Sequence, residues 1–370
     1  MADDRPVPLD EYPVHQVPLS MKYVATGDRN AYDRCIFHVL DHEGRALLIL
    51  GLGVYPNLGV IDAYATLRLG DTLHAVRASD ALRDDARTDL SVGPLRILVE
   101  RPLRDFVLSC QAAPDDPGGL SYEINWTADF PALWEPHHLQ RRGGRLTLEG
   151  RRFVQAGHCD GWIRVGGRQI PVQGWTGTRD RSWGVRPVPG EEGGRFAEEH
   201  PTEGFHWIWC PVRFEDRFLM VIVQEDADGH RSLNDATVVR PGRRDRQLGW
   251  PQPEIGYRTG TRHPDRALIH LGDVRKPMEL EVEVLTSSPL AVGAGYPPAD
   301  DWQHGTWQGR DWTDRRIYDL TEPHPLASYG VTDHAARFRL DGRVGHGIFE
   351  HGSIGRHDPS GFTGFDSVAP

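Results

Sequence analysis

Apolar and polar positions alternate along this chain in short runs, and Gly, Pro, Asn or Asp closes nearly every one. Residues 35–40 and 45–54 flank the turn Asp41-His42-Glu43-Gly44 and read as a hairpin. Residues 61–69 and 72–78 turn at Gly70-Asp71, and runs at 95–100, 106–111 and 120–128 follow. In the last of these Tyr122, Ile124 and Trp126 share one face. Residues 157–165 and 169–174 flank Gly166-Gly167. The second half repeats the style with runs at 205–214, 217–225, 233–239, 267–271, 278–286, 335–340 and 344–351. At 278–284 the alternation is strict, with Leu280, Val282 and Val284 opposite Glu279, Glu281 and Glu283, as in a sheet with one wet face. Residues 79–89 are the best helical stretch and predict one short helix. Many short strands with Gly turns predict an all-β sandwich or barrel architecture. Hairpins followed by a Trp/Gly-rich region in each half suggest two similar β-domains.

Composition narrows the function classes. The 370 residues suffice for two domains, and 41 Gly and 28 Pro fit a turn-rich fold. The net charge of −11 and a single short basic cluster, Arg243-Arg244-Asp245-Arg246, argue against nucleic-acid partners. The longest apolar run, 46–54, is too short for a membrane span, so no stable membrane insertion is expected. The start of the chain shows no secretory signal, and Cys35, Cys110, Cys159 and Cys210 lie far apart without metal spacing. A cytoplasmic protein with reduced thiols is the expectation. Gly51-Leu52-Gly53 lacks the third glycine of a dinucleotide fingerprint, and no G-x-S-x-G elbow occurs, so no cofactor and no serine hydrolase is expected. His346, Glu350 and His351 fall on a strand, where His351 faces away from the other two, so no metal site is expected there. Glu135 and His137, in a Pro-broken stretch, could form an acid–base pair.

The segment 174–187 stands apart from the other runs. Gly174, Gly177 and Gly184 are interleaved with Trp175 and Trp183, and Arg179-Asp180-Arg181 places three charges in a row. Charges in such a setting either join two halves or line a site. On a strand Asp180 shares a face with Thr178 and Ser182, while both flanking arginines face away. Phe205, Trp207 and Trp209 form an aromatic face with His206 on its reverse.

Residues 177–186, Gly-Thr-Arg-Asp-Arg-Ser-Trp-Gly-Val-Arg, resemble the G-x-R-D-H-S-W-G-x-R signature of the hydroxyneurosporene-synthase-like superfamily. This group includes carotenoid 1,2-hydratases and AttH-like proteins. Residues 153–161 resemble the segment that usually precedes this signature, and residues 345–352 are similar to the end of the superfamily's uncharacterised actinobacterial branch. The resemblance implies two tandem lipocalin-like antiparallel β-barrels; the Pro-rich start reads as an arm over 1–20, and the Gly-, Pro- and Glu-rich stretch after Pro187 divides a first barrel over 21–188 from a second over 189–370. It implies chemistry on terpenoid- or polyketide-like skeletons by protonation, hydration or cyclisation. The usual His of the signature is Arg181 here.

Two readings follow. In the first, the chain is a cofactor-independent lyase or isomerase of hydratase–dehydratase or cyclase type. Asp180 and Arg179 carry the catalysis, and Trp175, Trp183, Phe205, His206, Trp207 and Trp209 hold a hydrophobic substrate. In the second, it is a lipocalin-like binding protein for a hydrophobic metabolite, and the central motif is structural. An accessory scaffold with collapsed barrels is a third option. The oligomeric state is left open, a homodimer included.

Overall fold

The computed structural model describes residues 6–370 except 85–86, 114–115, 117–118, 143, 191–202, 274, 300, 323, 325 and 328–329. Part of the Gly- and Glu-rich stretch after Pro187, where the sequence places the boundary, therefore lies outside the described residues.

Two curled antiparallel sheets form two tandem lipocalin-like barrels. The chain runs through β1 (Ala31–Leu40), β2 (Ala46–Tyr55), β3 (Val60–Leu69), β4 (Thr72–Ala81), β5 (Leu90–Val92), β6 (Leu95–Arg101), β7 (Asp105–Cys110) and β8 (Ser121–Ala128). Next come β9 (Leu133–Trp134), β10 (His138–Arg142), β11 (Arg145–Val165) and β12 (Arg168–Val185). The second half holds β13 (Gly204–Arg213), β14 (Phe218–Glu225), β15 (Arg231–Val239), β16 (Arg246–Gln247), β17 (Gln252–Tyr257), β18 (Pro264–Asp273) and β19 (Lys276–Pro289). It closes with β20 (Trp312–Asp319), β21 (Thr332–Leu340) and β22 (Arg343–Gly355). The first sheet has the order β20-β4-β3-β2-β1-β12-β11-β8-β7-β6-β5, with β9 and β10 attached to β11. The second has the order β16-β15-β14-β13-β22-β21-β19-β18-β17.

Two sequence expectations change. Residues 79–89 form no helix among the described residues; 79–81 continue β4, which pairs with β3 on one side and β20 on the other. The pairing partner for this edge arrives from more than two hundred residues downstream, so tertiary pairing overrides a weak local preference. For the same reason the first sheet takes a strand from the second half of the chain. The only helical turns among the described residues are short 3-10 pieces such as Pro8–Glu11. None is long and apolar enough to cross a membrane. All four cysteines are buried and free.

Each barrel has its own apolar interior. Phe37, Leu50, Leu108 and Trp126 sit in the first; Ile208, Val221, Phe338 and Phe349 sit in the second. A third cluster lies between them. Ile36, Leu47 and Ile49 on the outer face of the first sheet pack against Trp209, Phe218, Met220, Ile222 and Ile348 of the second. The barrels thus meet back to back. Strand β2 is buried along its whole length because one face fills its own barrel and the other fills the seam. Burying each large apolar side chain there contributes about 1.5–3 kcal/mol.

Candidate active site in the seam between the barrels

The central motif lies on β12, in the middle of the first sheet, between β1 and β11. Its side chains alternate as on any strand. Asp180 is opposite Ile36 on one side and Val154 on the other, so it faces the seam. Arg179 is opposite Phe37 and faces the interior of the first barrel. On the facing sheet, Trp207 and Trp209 of β13, Asp333 of β21 and Glu350 of β22 point into the same seam. A cavity of about 240 Å³ opens where these surfaces part. Asp180, Ser182, Arg152, Phe205, Trp207, Trp209 and Glu350 line it, with Arg34, Arg186, Tyr32, Tyr296, Ile36, Leu290 and Val331.

Asp180 is held by Arg152, two positions along β11, whose Nε lies 3.2 Å from Oδ2. The flanking arginines leave it alone: Arg181 pairs with Asp33, and Arg179 hydrogen-bonds Gln155. Burial pushes the Asp180 carboxyl above its ordinary value against the pull of Arg152, and neighbouring Glu135 adds to the rise.

Arg152 also approaches Glu135, with Nη1 3.7 Å from Oε2. Glu135 is fully buried and accepts hydrogen bonds from His138 Nε2 at 3.0 Å and from Trp209 Nε1 at 2.7 Å across the seam. Burial alone would raise its carboxyl, but Arg152, His138 and Trp209 outweigh burial and hold it below the usual range. His137, the partner suggested by the sequence, instead approaches Glu149 near the surface.

The second carboxyl in the cavity is Glu350. Trp207 Nε1 donates to it, and its cross-strand neighbour Asp333 shares a hydrogen bond with it. Burial and the Asp333 charge push Glu350 well above the usual carboxyl range. Asp333 is itself pushed up to about 7, chiefly by burial, with Asp180 contributing. Behind the pair, Asp333 Oδ2 lies 3.0 Å from His38 Nε2, and His38 Nδ1 lies 3.1 Å from the Thr178 hydroxyl. Burial lowers His38 to about 4, so the ring is neutral at physiological pH. A neutral ring that donates from Nε2 accepts from Thr178 at Nδ1. A hydrogen-bonded file therefore runs from Thr178 through His38 and Asp333 to Glu350 at the cavity.

The structure brings Asp180, Phe205, Trp207 and Trp209 together, and it separates the other expected site residues from them. Arg179 is almost fully buried among Phe37, Phe106, Trp126 and Phe153, 4.4 Å above the Phe106 ring. Trp175 packs on the core of the first barrel. Trp183 sits at that barrel's rim against Trp134 and Phe153, about a third exposed. His206 points into the second barrel, stacked on His357 at 4.0 Å.

His206, Glu225 and His357 form a buried group whose ligand atoms lie within 4.8 Å of one another. The two imidazole planes are nearly parallel, so their in-plane lone pairs do not converge on one point. Glu225 is also engaged, by His357 at 2.9 Å and Arg231 at 2.7 Å. As arranged, the group is a hydrogen-bonded core cluster.

The sequence alone does not mark Asp333, His38, Arg152 or Arg34; Arg186 figures in it only as the last position of the signature, and Glu350 only as a candidate metal ligand. These residues are dispersed over four strands and the end of β12. Only the pairing of sheets across the seam assembles them.

The chain belongs to a family of unknown function, DUF8625, whose model matches residues 7–363. No curated protein matches the sequence. Among solved structures, one assigned as an AttH from Nitrosomonas europaea is similar, with a TM-score of 0.56 and 14% identity, covering 94% of this chain and 98% of that one. Kievitone hydratase from Nectria haematococca gives 0.49 and 12% over 87% and 88% of the two chains. CghA with Sch210972 gives 0.45 and 11% over 89% of each. At these identities the AttH likeness bears on the fold, and it agrees with the tandem-barrel expectation.

Proposed function

We propose that this protein is an acid–base lyase or isomerase acting on a small, mostly apolar molecule held in the seam cavity. The observation that carries the reading is the pair of carboxyl groups, Asp180 and Glu350, that enter one aromatic-walled cavity from opposite barrels. Glu350, pushed well above the usual carboxyl range by burial and by the Asp333 charge beside it, is the acid. Proton delivery to an alkene carbon needs such a group, since an ionised carboxylate has nothing to give. Asp180, kept near Arg152, is the second carboxyl and receives a proton from water or from carbon. In hydration Glu350 protonates one alkene carbon and Asp180 takes a proton from the attacking water; dehydration runs the same steps backwards. In isomerisation Asp180 removes a proton from carbon instead. Trp207 and Trp209 offer π faces to positive charge developing on the skeleton. After each hydration the proton lost by Glu350 resides on Asp180, and its return through water in the cavity that both carboxyls line closes the cycle; Asp333, held by His38, positions Glu350.

At about 240 Å³ the cavity falls below the roughly 300–1,000 Å³ usual for drug-sized ligands. That size favours a compact terpenoid- or polyketide-like unit over a long polyene. The test is incubation in D2O with unsaturated monoterpenoid acids and alcohols, read by mass spectrometry for deuterium on carbon or gain or loss of water. We expect label or water exchange with the parent and none with Glu350→Gln, at similar affinity. Tight binding of these compounds with no exchange by the parent would leave a binding protein instead.

A further inference from the structure

The charges around the cavity do not cancel. Arg152 is matched by Asp180 and Glu135. Two other guanidinium groups in the lining, Arg34 and Arg186, have no ion pair or side-chain hydrogen bond among the described residues. Arg34 lies on β1, is 7% exposed, and its guanidinium rests 4.9 Å above the ring of Tyr296. Arg186 follows β12, is fixed by its backbone N–H on the Asn30 carbonyl at 3.2 Å, and lies 5.6 Å over Tyr32. Asp62 on β3 is the acid that acts on Arg34, from the same outer face of the first sheet, but its oxygens are taken by His304 Nδ1 at 3.1 Å and the Gly305 N–H at 2.7 Å. The two arginines are close enough that Arg34, together with burial, lowers the basicity of Arg186.

A buried cation costs several kcal/mol unless an anion or a set of acceptors answers it. Two adjacent guanidinium groups held over aromatic rings, with their donors turned to a cavity, form a site for a planar or tetrahedral oxyanion. We propose that Arg34 and Arg186 form an anion subsite, and that the cavity's ligand is an apolar molecule carrying a carboxylate or phosphate head group. The head group sits between the two arginines and the apolar body lies along Trp207 and Trp209, toward Glu350. This deepens the acid–base reading and rests on it for orientation, because an anchored head group fixes which carbon meets the Glu350 proton. A protonated Glu350 adds no repulsion to such a ligand.

The experiment compares ligands of one skeleton in the intact protein: citronellate, citronellyl phosphate, citronellamide and citronellol. Binding is read from quenching of tryptophan fluorescence. With the parent protein we expect at least one of the two anions to bind roughly tenfold or more tightly than the neutral pair. Which of the two wins identifies the head group. In Arg186→Gln and in Arg34→Gln the anion preference should collapse while the amide affinity stays unchanged. Glu350→Gln should keep the preference, so a failure of the proton-transfer reading is distinguishable from a failure of the subsite. Equal affinity of acid, phosphate and amide for the parent, or no anion binding up to millimolar concentration, overturns the proposal. So does an anion preference that survives in Arg186→Gln. The parent comparison stands even if Arg34→Gln fails to fold.

Discussion

Asp333 and Glu350 stand directly opposite each other on β21 and β22, and their carboxyl groups share a hydrogen bond within the buried seam. Two carboxylates placed this way cannot both ionise at low cost, so the pair retains a proton at neutral pH. His38 of the first barrel holds the far side of Asp333, and Trp207 holds Glu350. The result is an acid supplied by one barrel and buttressed by the other.

The pair has a signature in stability. Asp333 keeps its proton up to about 7 in the folded protein and loses it in the ordinary carboxyl range when unfolded. Its contribution is complete below that ordinary range and is lost as pH rises through about 7. Relative to the parent, Asp333→Asn should therefore gain melting temperature as pH rises from about 4 to about 7, then level off. Thermal melts across this range check it; a difference that does not change with pH contradicts it.

Three buried histidines and the half-buried His346 act in the opposite direction. Burial lowers His38, His304, His346 and His351 to about 4. Their stabilisation is present above the ordinary imidazole range near 6.5 and is lost as pH falls toward about 4. Unfolding at a pH of about 5.5 should therefore take up protons overall, since these four imidazoles outnumber the three raised carboxyls, Asp333, Glu350 and Asp180, that release protons on unfolding. Unfolding calorimetry in buffers of different ionisation heat measures this uptake. Net release would contradict the neutral, buried assignment.

Much of the architecture is legible in the sequence, and the reason the site is less so is physical. Period-two alternation and Gly turns mark the strands, and on β19 Glu279, Glu281 and Glu283 mark a face turned to water. Alternation also places Asp180 away from its flanking arginines, as found. The continuous apolar run of β2 carries a further signal, because only a strand buried on both faces dispenses with polar positions. Together with the similar runs in β13 and β14 it marks the seam. What no local pattern contains is which residue of one barrel meets which of the other. His38 and Asp333 are 295 positions apart, and Trp209 and Glu135 are 74 apart. Strand β20 shows the same limit, since its partner β4 lies in the other half of the chain.

Arg152 joins Asp180 to Glu135, and its loss leaves two carboxyls without a cation in a largely closed space. Arg152→Met should cost about 3–5 kcal/mol in urea unfolding. Adding Asp180→Asn and Glu135→Gln should restore part of it. A loss below about 1 kcal/mol in the single variant would show that the buried charges are answered by other groups.

Arg179 faces the first barrel, where it hydrogen-bonds Gln155 at 3.1 Å and rests over Phe106. Arg179→Met should cost about 1–2 kcal/mol of stability through these contacts. Affinity for citronellate in the seam should stay within about twofold of the parent. A large loss of affinity with unchanged melting would assign Arg179 to the ligand site after all.

The most direct test asks whether a carboxyl in the seam holds its proton at neutral pH. Carboxyl-carbon NMR of protein labelled at Asp and Glu, titrated from about pH 3 to 9, reads every side chain in one experiment. We expect a signal titrating well above the ordinary range that disappears in Glu350→Gln and shifts in Asp333→Asn. If every carboxyl instead titrates below about pH 5, no loaded acid faces the cavity and the acid–base account fails.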